Sequence, residues 1–201
     1  IVDLNGETVI SGRRILKEGH PLDAFYLLQS EGIYQTQEEI DNSAKVSNAV
    51  KPGYLKYKDV NWNGTINGDD RIITGSSIPK WNYSFAINLS YKQFSLNTYL
   101  QGVQGINIYP TANLAYPVNN GAGLTKEWAT DSWTPENTGA RLPILTTPQG
   151  GSENYQGSTA WLRSGSYLRI QNIQLNYAFP QKWISKVAIS KLNLFANAQN
   201  F

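Results

Sequence analysis

The chain has 201 residues, a formal net charge of +2, no Cys, 16% charged residues and 12% aromatic ones. Charge this near zero argues against nucleic acid as a partner, and without Cys there is no disulfide framework, thiolate nucleophile or Cys-ligated zinc. No apolar run reaches the ~18 residues of a transmembrane helix, but a transmembrane strand needs only ~9–11 alternating residues and stays open.

From the N-terminal end, residues 7–17 (ETVISGRRILK) and 22–28 (LDAFYLL) are candidate strands. Residues 36–46 (TQEEIDNSAKV) suit one short helix, with Thr36 as cap and Glu39 three residues on, as in a capping box. Glu38 and Glu39 face the helix dipole favourably, and as neighbours on one helix they do not flank a substrate bond as glycosidase carboxylates must. The sole histidine, His20, has no partners that would equip it for acid–base work. No catalytic constellation stands out anywhere, so an enzyme is not expected.

Residues 47–80 read as loop and contain DVNWNGTINGDDR (59–71). Asp59, Asn61, Asn63, the Thr65 carbonyl and Asp70 fall at the ligand spacing of a calcium loop, with Gly64 at the sharp turn and Ile66 directed to a neighbouring core. Only Asp59 and Asp70 bring charge to ligand places, Asp70 is shorter than the usual bidentate Glu, and Lys58 and Arg71 flank the loop, so any structural calcium is expected to bind weakly. The same residues also make an Asx-rich turn held by side-chain-to-backbone bonds. Both readings stand on the spacing alone.

Residues 81–103 carry the clearest pattern. Tyr83, Phe85, Ile87, Leu89 and Tyr91 alternate with Asn82, Ser84, Ala86, Asn88 and Ser90. After Lys92-Gln93, Phe94, Leu96, Thr98 and Leu100 alternate with Ser95, Asn97, Tyr99 and Gln101, which reads as a hairpin with one apolar and one polar face. A long loop rich in Pro, Gly, Asn and Thr follows over 104–160; its Trp128 and Trp133 either stack on sugar rings or pin the loop by burial. A second hairpin is expected within 161–201. There Leu175, Tyr177 and Phe179 share a face with Ile173, whereas Leu168 and Ile170 are out of phase, which predicts a bulge near Gln171-Asn172. Leu192 and Leu194 lie on one side of its last strand.

An apolar strand face can meet a second sheet or lipid. Strand length, the aromatic residues Trp81, Tyr83, Tyr91, Phe94, Tyr177, Phe179 and Trp183 near strand ends, and the alternation of short and long connections suit a membrane barrel. The pattern alone also suits a soluble sandwich.

The residues themselves resemble a family. KEGHPLDAFYLLQSEGIYQTQEEI (17–40), KPGYLKYKDVNWNGTINGDDRIITGSSIPKWNYSFAINLSYKQFSLNTYLQG (51–102), DSWTPENTGARLPIL (131–145) and the stretch from Trp161 to Phe201 are similar, in order, to the late part of SusC/RagA-type TonB-dependent outer-membrane transporters of the Bacteroidetes. Leu27 and Trp62 depart from the pattern where glycine is common, and Asn63 where Asp is common. The resemblance implies an all-β fold: part of an antiparallel transmembrane β-barrel of about 22 strands, with long extracellular loops and one short helix. The plug domain is expected to lie outside this chain, which reads as a piece of a longer polypeptide. The resemblance also implies TonB-coupled import of glycans or peptides across the outer membrane of a Gram-negative bacterium, with a SusD-like surface lipoprotein as partner and no required cofactor. Lipid would then meet Tyr83, Phe85, Ile87, Leu89, Phe94, Leu96, Leu100, Leu175, Tyr177, Leu192 and Leu194. The alternative is a soluble extracellular β-module whose calcium loop mediates binding.

Overall fold

The structure is a computed structural model and describes residues 5–111, 115–187 and 189–200. In chain order its elements are β1 (Val9–Ser11), β2 (Arg14–Leu16), β3 (Ala24–Leu28), β4 (Ser30–Ile33), α1 (Gln37–Asp41), β5 (Leu55–Tyr57), β6 (Arg71–Ser76), β7 (Trp81–Tyr91), β8 (Phe94–Gln104), β9 (Asn107–Ile108), α2 (Lys126–Thr130), β10 (Arg163–Ser164), β11 (Tyr167–Ala178), α3 (Gln181–Ile184) and β12 (Asn193–Gln199), with short 3-10 turns between. They divide into two units. One is built from the residues up to Ser77 together with Asn107–Arg163, the other from Ile78–Ile106 and the residues from Ser164 onward.

The first unit holds a sheet of order β1-β2-β3-β6 and a smaller pair, β4-β5. The 7–17 stretch, expected as one strand, is instead a hairpin: Ser11 pairs with Arg14, and Gly12 takes φ 59° between them. A Ser-Gly dipeptide inside a β-like run is the turn signal responsible. The 47–80 stretch, expected as loop, contains two strands. Leu55 pairs with Ile33, and Ile73 pairs with Tyr26. Both segments are short and alternate or branch as strands do, but Gly and Asx residues around them mask the signal. The helix expected over 36–46 stops at Asp41. Its cap is as read, with the Thr36 hydroxyl accepting from the Glu39 N–H at 3.1 Å, while Ser43 Oγ bonds back to the Glu39 carbonyl at 2.7 Å and competes with a further turn. Short α-helices also form at α2 and α3, where one helix in all was expected.

This unit has its own core. Leu28, Leu55, Tyr57, Ile66, Trp128, Leu142 and Trp161 pack together, flanked by Tyr109, Tyr116 and Tyr155. A second cluster joins Tyr34, Ile40, Val50 and Tyr54. The described residues of the long 104–160 segment are therefore held by aromatic burial with little regular structure. Trp128 stacks on Trp161 with ring centroids 6.1 Å apart, and Tyr57 donates its hydroxyl hydrogen to the Glu153 carbonyl at 2.8 Å. Burial, with the Glu153 charge adding to it, pushes the Tyr57 phenol far above its ordinary range.

In the second unit, β12-β11-β8-β7 form one antiparallel sheet. Tyr91 pairs with Phe94 across the two-residue Lys92-Gln93 turn, where Lys92 takes φ 54°. The β11–β8 register shifts between Ile170 and Asn172, which leaves Gln171 as the extra residue of a bulge. No helix among the described residues is long and apolar enough to cross a membrane, which says nothing of strands.

At Gly53 the backbone runs close against an aromatic ring. Its φ is 90°, its N–H donates to the Tyr34 carbonyl and its carbonyl accepts from the Ile144 N–H, both at 2.8 Å. A Cβ there would lie 2.5 Å from Cε3 of Trp133. Gly53→Ala is expected to destabilise this unit by about 1–3 kcal/mol, read as faster limited proteolysis within 104–160.

Candidate functional site

Three places concentrate chemistry: the two faces of the β7–β8–β11–β12 sheet, the 59–70 loop and the tryptophans of the long segment.

The strand registers decide the sheet faces, because paired residues share a side. One face carries successive rungs across β7, β8, β11 and β12. Phe85, Leu100 and Ile170 make one. Ile87, Thr98, Ile173 and Ala198 make the next, then Leu89, Leu96, Leu175 and Ala196, then Tyr91, Phe94, Tyr177 and Leu194. Tyr83 extends this face beside Gly102 and Leu168, and Leu192 extends it opposite Phe179, whose N–H donates to the Leu192 carbonyl at 3.0 Å. The structure thus gathers every residue expected on the apolar face onto one side of one sheet. Phe85, Ile87 and Leu89 remain 57%, 44% and 58% exposed. A sandwich would have buried them against a second sheet, so the soluble-module alternative has no support here.

The other face is a ladder of amides and hydroxyls. Asn88, Asn97, Gln174 and Asn197 form one rung, and Ser90, Ser95 and Asn176 the next. Gln174 Nε2 donates to Asn176 Oδ1 at 2.7 Å, and Asn176 Nδ2 donates to Ser95 Oγ at 3.4 Å. Phe195 interrupts the polarity at the β12 edge. Aromatic residues cluster at the turn end of the apolar face, with Phe94 and Tyr177 rings 4.7 Å apart. From Tyr83 to Tyr91 the strand rises about 26 Å, or roughly 20 Å of depth at the tilt of a membrane barrel.

In the 59–70 loop the side-chain oxygens face backbone donors. Asp59 Oδ1 and Oδ2 accept from the N–H groups of Asn63 and Gly64 at 3.2 and 2.8 Å. Asn61 Oδ1 accepts from Asn63 N at 3.1 Å, and Asn63 Oδ1 from Thr65 N at 2.8 Å. Asp70 is fully buried; its carboxylate accepts from Val60 N and Asn67 N, both at 2.9 Å, and from Asn61 N at 3.4 Å. Ile66 is buried in the first cluster, its N–H donating to the Lys45 carbonyl at 3.2 Å. The residues of the calcium-like spacing are therefore brought together as an Asx network that closes on itself. The oxygens of Asp59, Asn61 and Asn63 each accept one of these bonds, whereas Asp70 Oδ1 accepts two and has both lone pairs engaged. No group of three or more His, Asp or Glu side chains of metal-binding form occurs among the described residues.

Burial alone would raise the Asp70 carboxyl, but the three backbone N–H bonds outweigh it and hold the group below its ordinary value of 3.8. A depressed carboxyl contributes stability above its unfolded-state value and loses it as pH falls through the folded one.

Of the two readings open for Trp128 and Trp133, sugar stacking or burial, their placement fits burial. They are only 4% and 5% exposed, and their indole N–H groups donate to the Ala115 carbonyl at 2.9 Å and to Gln35 Oε1 at 2.8 Å. Both rings pin the long segment. Three tryptophans are exposed, Trp81, Trp183 and Trp62; Trp62 is the most so, 84% accessible, and is held at φ 61°. A bulky residue in that conformation costs about 1–2 kcal/mol. The signal for it in the sequence was the substitution of Trp where glycine is common.

No protein-family model matches the chain. It is 29% identical over 212 residues to TonB-dependent receptor P26 of Formosa agariphila, covering 100% of this chain and 21% of that protein. It is 27% identical over 187 residues to TonB-dependent receptor P3 of the same organism, covering 93% and 18%. Among solved structures it is similar to the RagAB peptide importer in the 'open-open' state, with a TM-score of 0.65 at 20% identity over 100% of this chain and 21% of that one. A second structure, of the RagAB peptide transporter, gives 0.65 at 19% over 98% and 20%. The fold is that of part of an antiparallel transmembrane β-barrel of the TonB-dependent transporter type. The chain spans about a fifth of the length of the relatives it matches, and its resemblance to SusC/RagA-type transporters is upheld along its whole length.

Asp70→Asn is expected to open the 59–70 loop at neutral pH, because one amide oxygen cannot replace two carboxylate oxygens serving three donors; each buried N–H left unmatched costs about 1–3 kcal/mol. Hydroxyl-radical footprinting of residues 59–70 should show increased labelling. In the wild-type protein the same increase should appear only in acid, as pH falls through the lowered pKa of Asp70.

Proposed function

We propose that the chain is a stretch of barrel wall and surface loop in an outer-membrane transporter that imports glycans or peptides by TonB-coupled transport. The observation that carries this reading is the two-faced sheet, with exposed Phe85, Ile87 and Leu89 on one side and the Asn88–Asn97–Gln174–Asn197 rung on the other. Lipid satisfies the first face, since apolar side chains gain by leaving water. A wet lumen satisfies the second, where neutral amides offer hydrogen bonds to a polar solute without trapping an ion. Backbone groups are paired between strands inside the sheet, as a membrane demands.

On this reading the protein lies in the outer membrane of a Gram-negative bacterium. TonB acts through segments outside this chain, and a SusD-like lipoprotein covers the substrate side. The likeness to TonB-dependent receptors and to the RagAB importer supports both partners. The chain's part is structural and conductive, not catalytic. It requires no cofactor: the 59–70 loop is closed by its own N–H bonds, and calcium bound through the free lone pairs of Asp59, Asn61 and Asn63, with the Thr65 carbonyl and Asp70, would add a local staple.

The experiment is a pair of substitutions in the full-length protein, on neighbouring residues of opposite face. Ile87→Arg should cost about 2–4 kcal/mol at mid-bilayer depth and deplete the folded, heat-modifiable form in outer membranes. Asn88→Lys should assemble normally. Equal tolerance of both changes, or loss of assembly in Asn88→Lys alone, would overturn the barrel-wall reading.

A further inference from the structure

Trp62 stands at the tip of the 59–70 loop with its backbone in the left-handed region and its indole 84% exposed. Glycine would hold that backbone without strain. Strain kept at an exposed aromatic is a pointer to function, because nothing in the packing of the loop calls for the side chain. The loop beneath it is stiff: Asp59 and Asp70 together anchor the backbone on both sides of Trp62. The indole also borders a cleft of about 360 Å³ whose other walls include Glu31, Asn42, Ser43, Lys58 and Asp59. The depression is open to solvent and also touches Tyr57, and its volume is at the lower end for small-molecule sites, with polar groups on several sides.

We infer that Trp62 and this cleft form a subsite for an uncharged pyranose ring of a glycan. The chemistry selects the ligand. A flat indole face matches the apolar face of a sugar ring, while amide, ammonium and carboxylate groups around it can bond ring hydroxyls. Glu31 and Asp59 oppose Lys58 and Lys56, and Glu39 already neutralises Lys56 at 2.9 Å, so the charge around the cleft leans negative. The cleft therefore disfavours a uronate, a sulfate or a peptide carboxylate and has no free cation cluster to hold one. The subsite rests on the transporter reading for its setting, since a glycan importer would meet its substrate at such loops.

The test uses the full-length protein in detergent and reads binding only, so it can fail while the outer-membrane assembly of the same preparation holds. Labelled neutral hexasaccharides of glucose, galactose and xylose are titrated by fluorescence anisotropy, beside a labelled hexapeptide. At least one hexasaccharide should bind saturably. Trp62→Gly, which suits the backbone and so keeps the fold, should weaken it at least ten-fold with an unchanged Tm, and Trp62→Tyr should retain most of it. Bound sugar should also protect Trp62 from oxidative footprinting. The inference is overturned if no hexasaccharide binds, if Trp62→Gly binds as wild type does, if the hexapeptide binds with the same dependence on Trp62, or if Trp62 is already shielded in the sugar-free protein by other parts of the polypeptide.

Discussion

The bulge at Gln171 keeps the apolar face of a four-stranded sheet continuous. Side chains alternate with period two, so a strand of uninterrupted register would have turned Leu168 and Ile170 onto the amide side. One extra residue restores the phase: Ile170 stays opposite Leu100, and Ile173 resumes opposite Thr98. Both faces of the sheet depend on that extra residue. The apolar rungs are unbroken from Tyr83 to Tyr91 because β11 is in step with β7 and β8 at both ends, and no leucine or isoleucine of β11 intrudes on the amide side, which Phe195, Tyr99 and Val103 interrupt elsewhere.

The two units solve the burial problem in opposite ways. The first buries its aromatics internally, with Trp128, Trp133 and Trp161 as anchors for a segment that has almost no regular structure. Such a long segment would ordinarily be disordered in a compact domain; here paired indole N–H groups and stacked rings replace the missing secondary structure. In the second unit the large side chains of β7 and β8 stay exposed. A sheet of that kind has a defined solvent on each face only when one is apolar and the other wet, which is why the same tryptophan-rich chain carries loops that pack like a globular protein and strands that do not.

Legibility in the sequence followed how local the cause was. The β7–β8 hairpin and the Gln171 bulge could be read because alternation and its loss of phase are written in consecutive residues. The hairpin at 7–17 is hard to read because a single Ser-Gly turn signal at Gly12 sits in a run whose composition otherwise suits one strand, and α1 ends before its sequence pattern does because the back-bond of Ser43 to Glu39 competes with its propagation. The roles of Trp128 and Trp133 depend on contacts with Ala115 and Gln35, one of them distant in the chain, and no spacing rule reaches that far. The 59–70 loop lies between these cases. Its ligand-like spacing was plain, yet the same oxygens can serve a cation or the backbone, and only the three-donor grip on Asp70 shows that the backbone has claimed them first.

That grip also explains how the loop tolerates Trp62. A bulky residue at positive φ persists only where neighbouring structure over-determines the backbone. Asp70 holds the N–H groups of Val60 and Asn61 just before it, and Asp59 holds those of Asn63 and Gly64 just after. The strain is thus confined to a single residue between two clamps. A glycine there would relax the turn and leave the tip bare; the tryptophan keeps the same turn and places a rigid aromatic plane in solvent beside a polar cleft. Backbone stability supplied by buried Asp70 is in this sense converted into a fixed surface feature, and the core beneath, through Ile66, ties that feature to the same packing that orders the long segment.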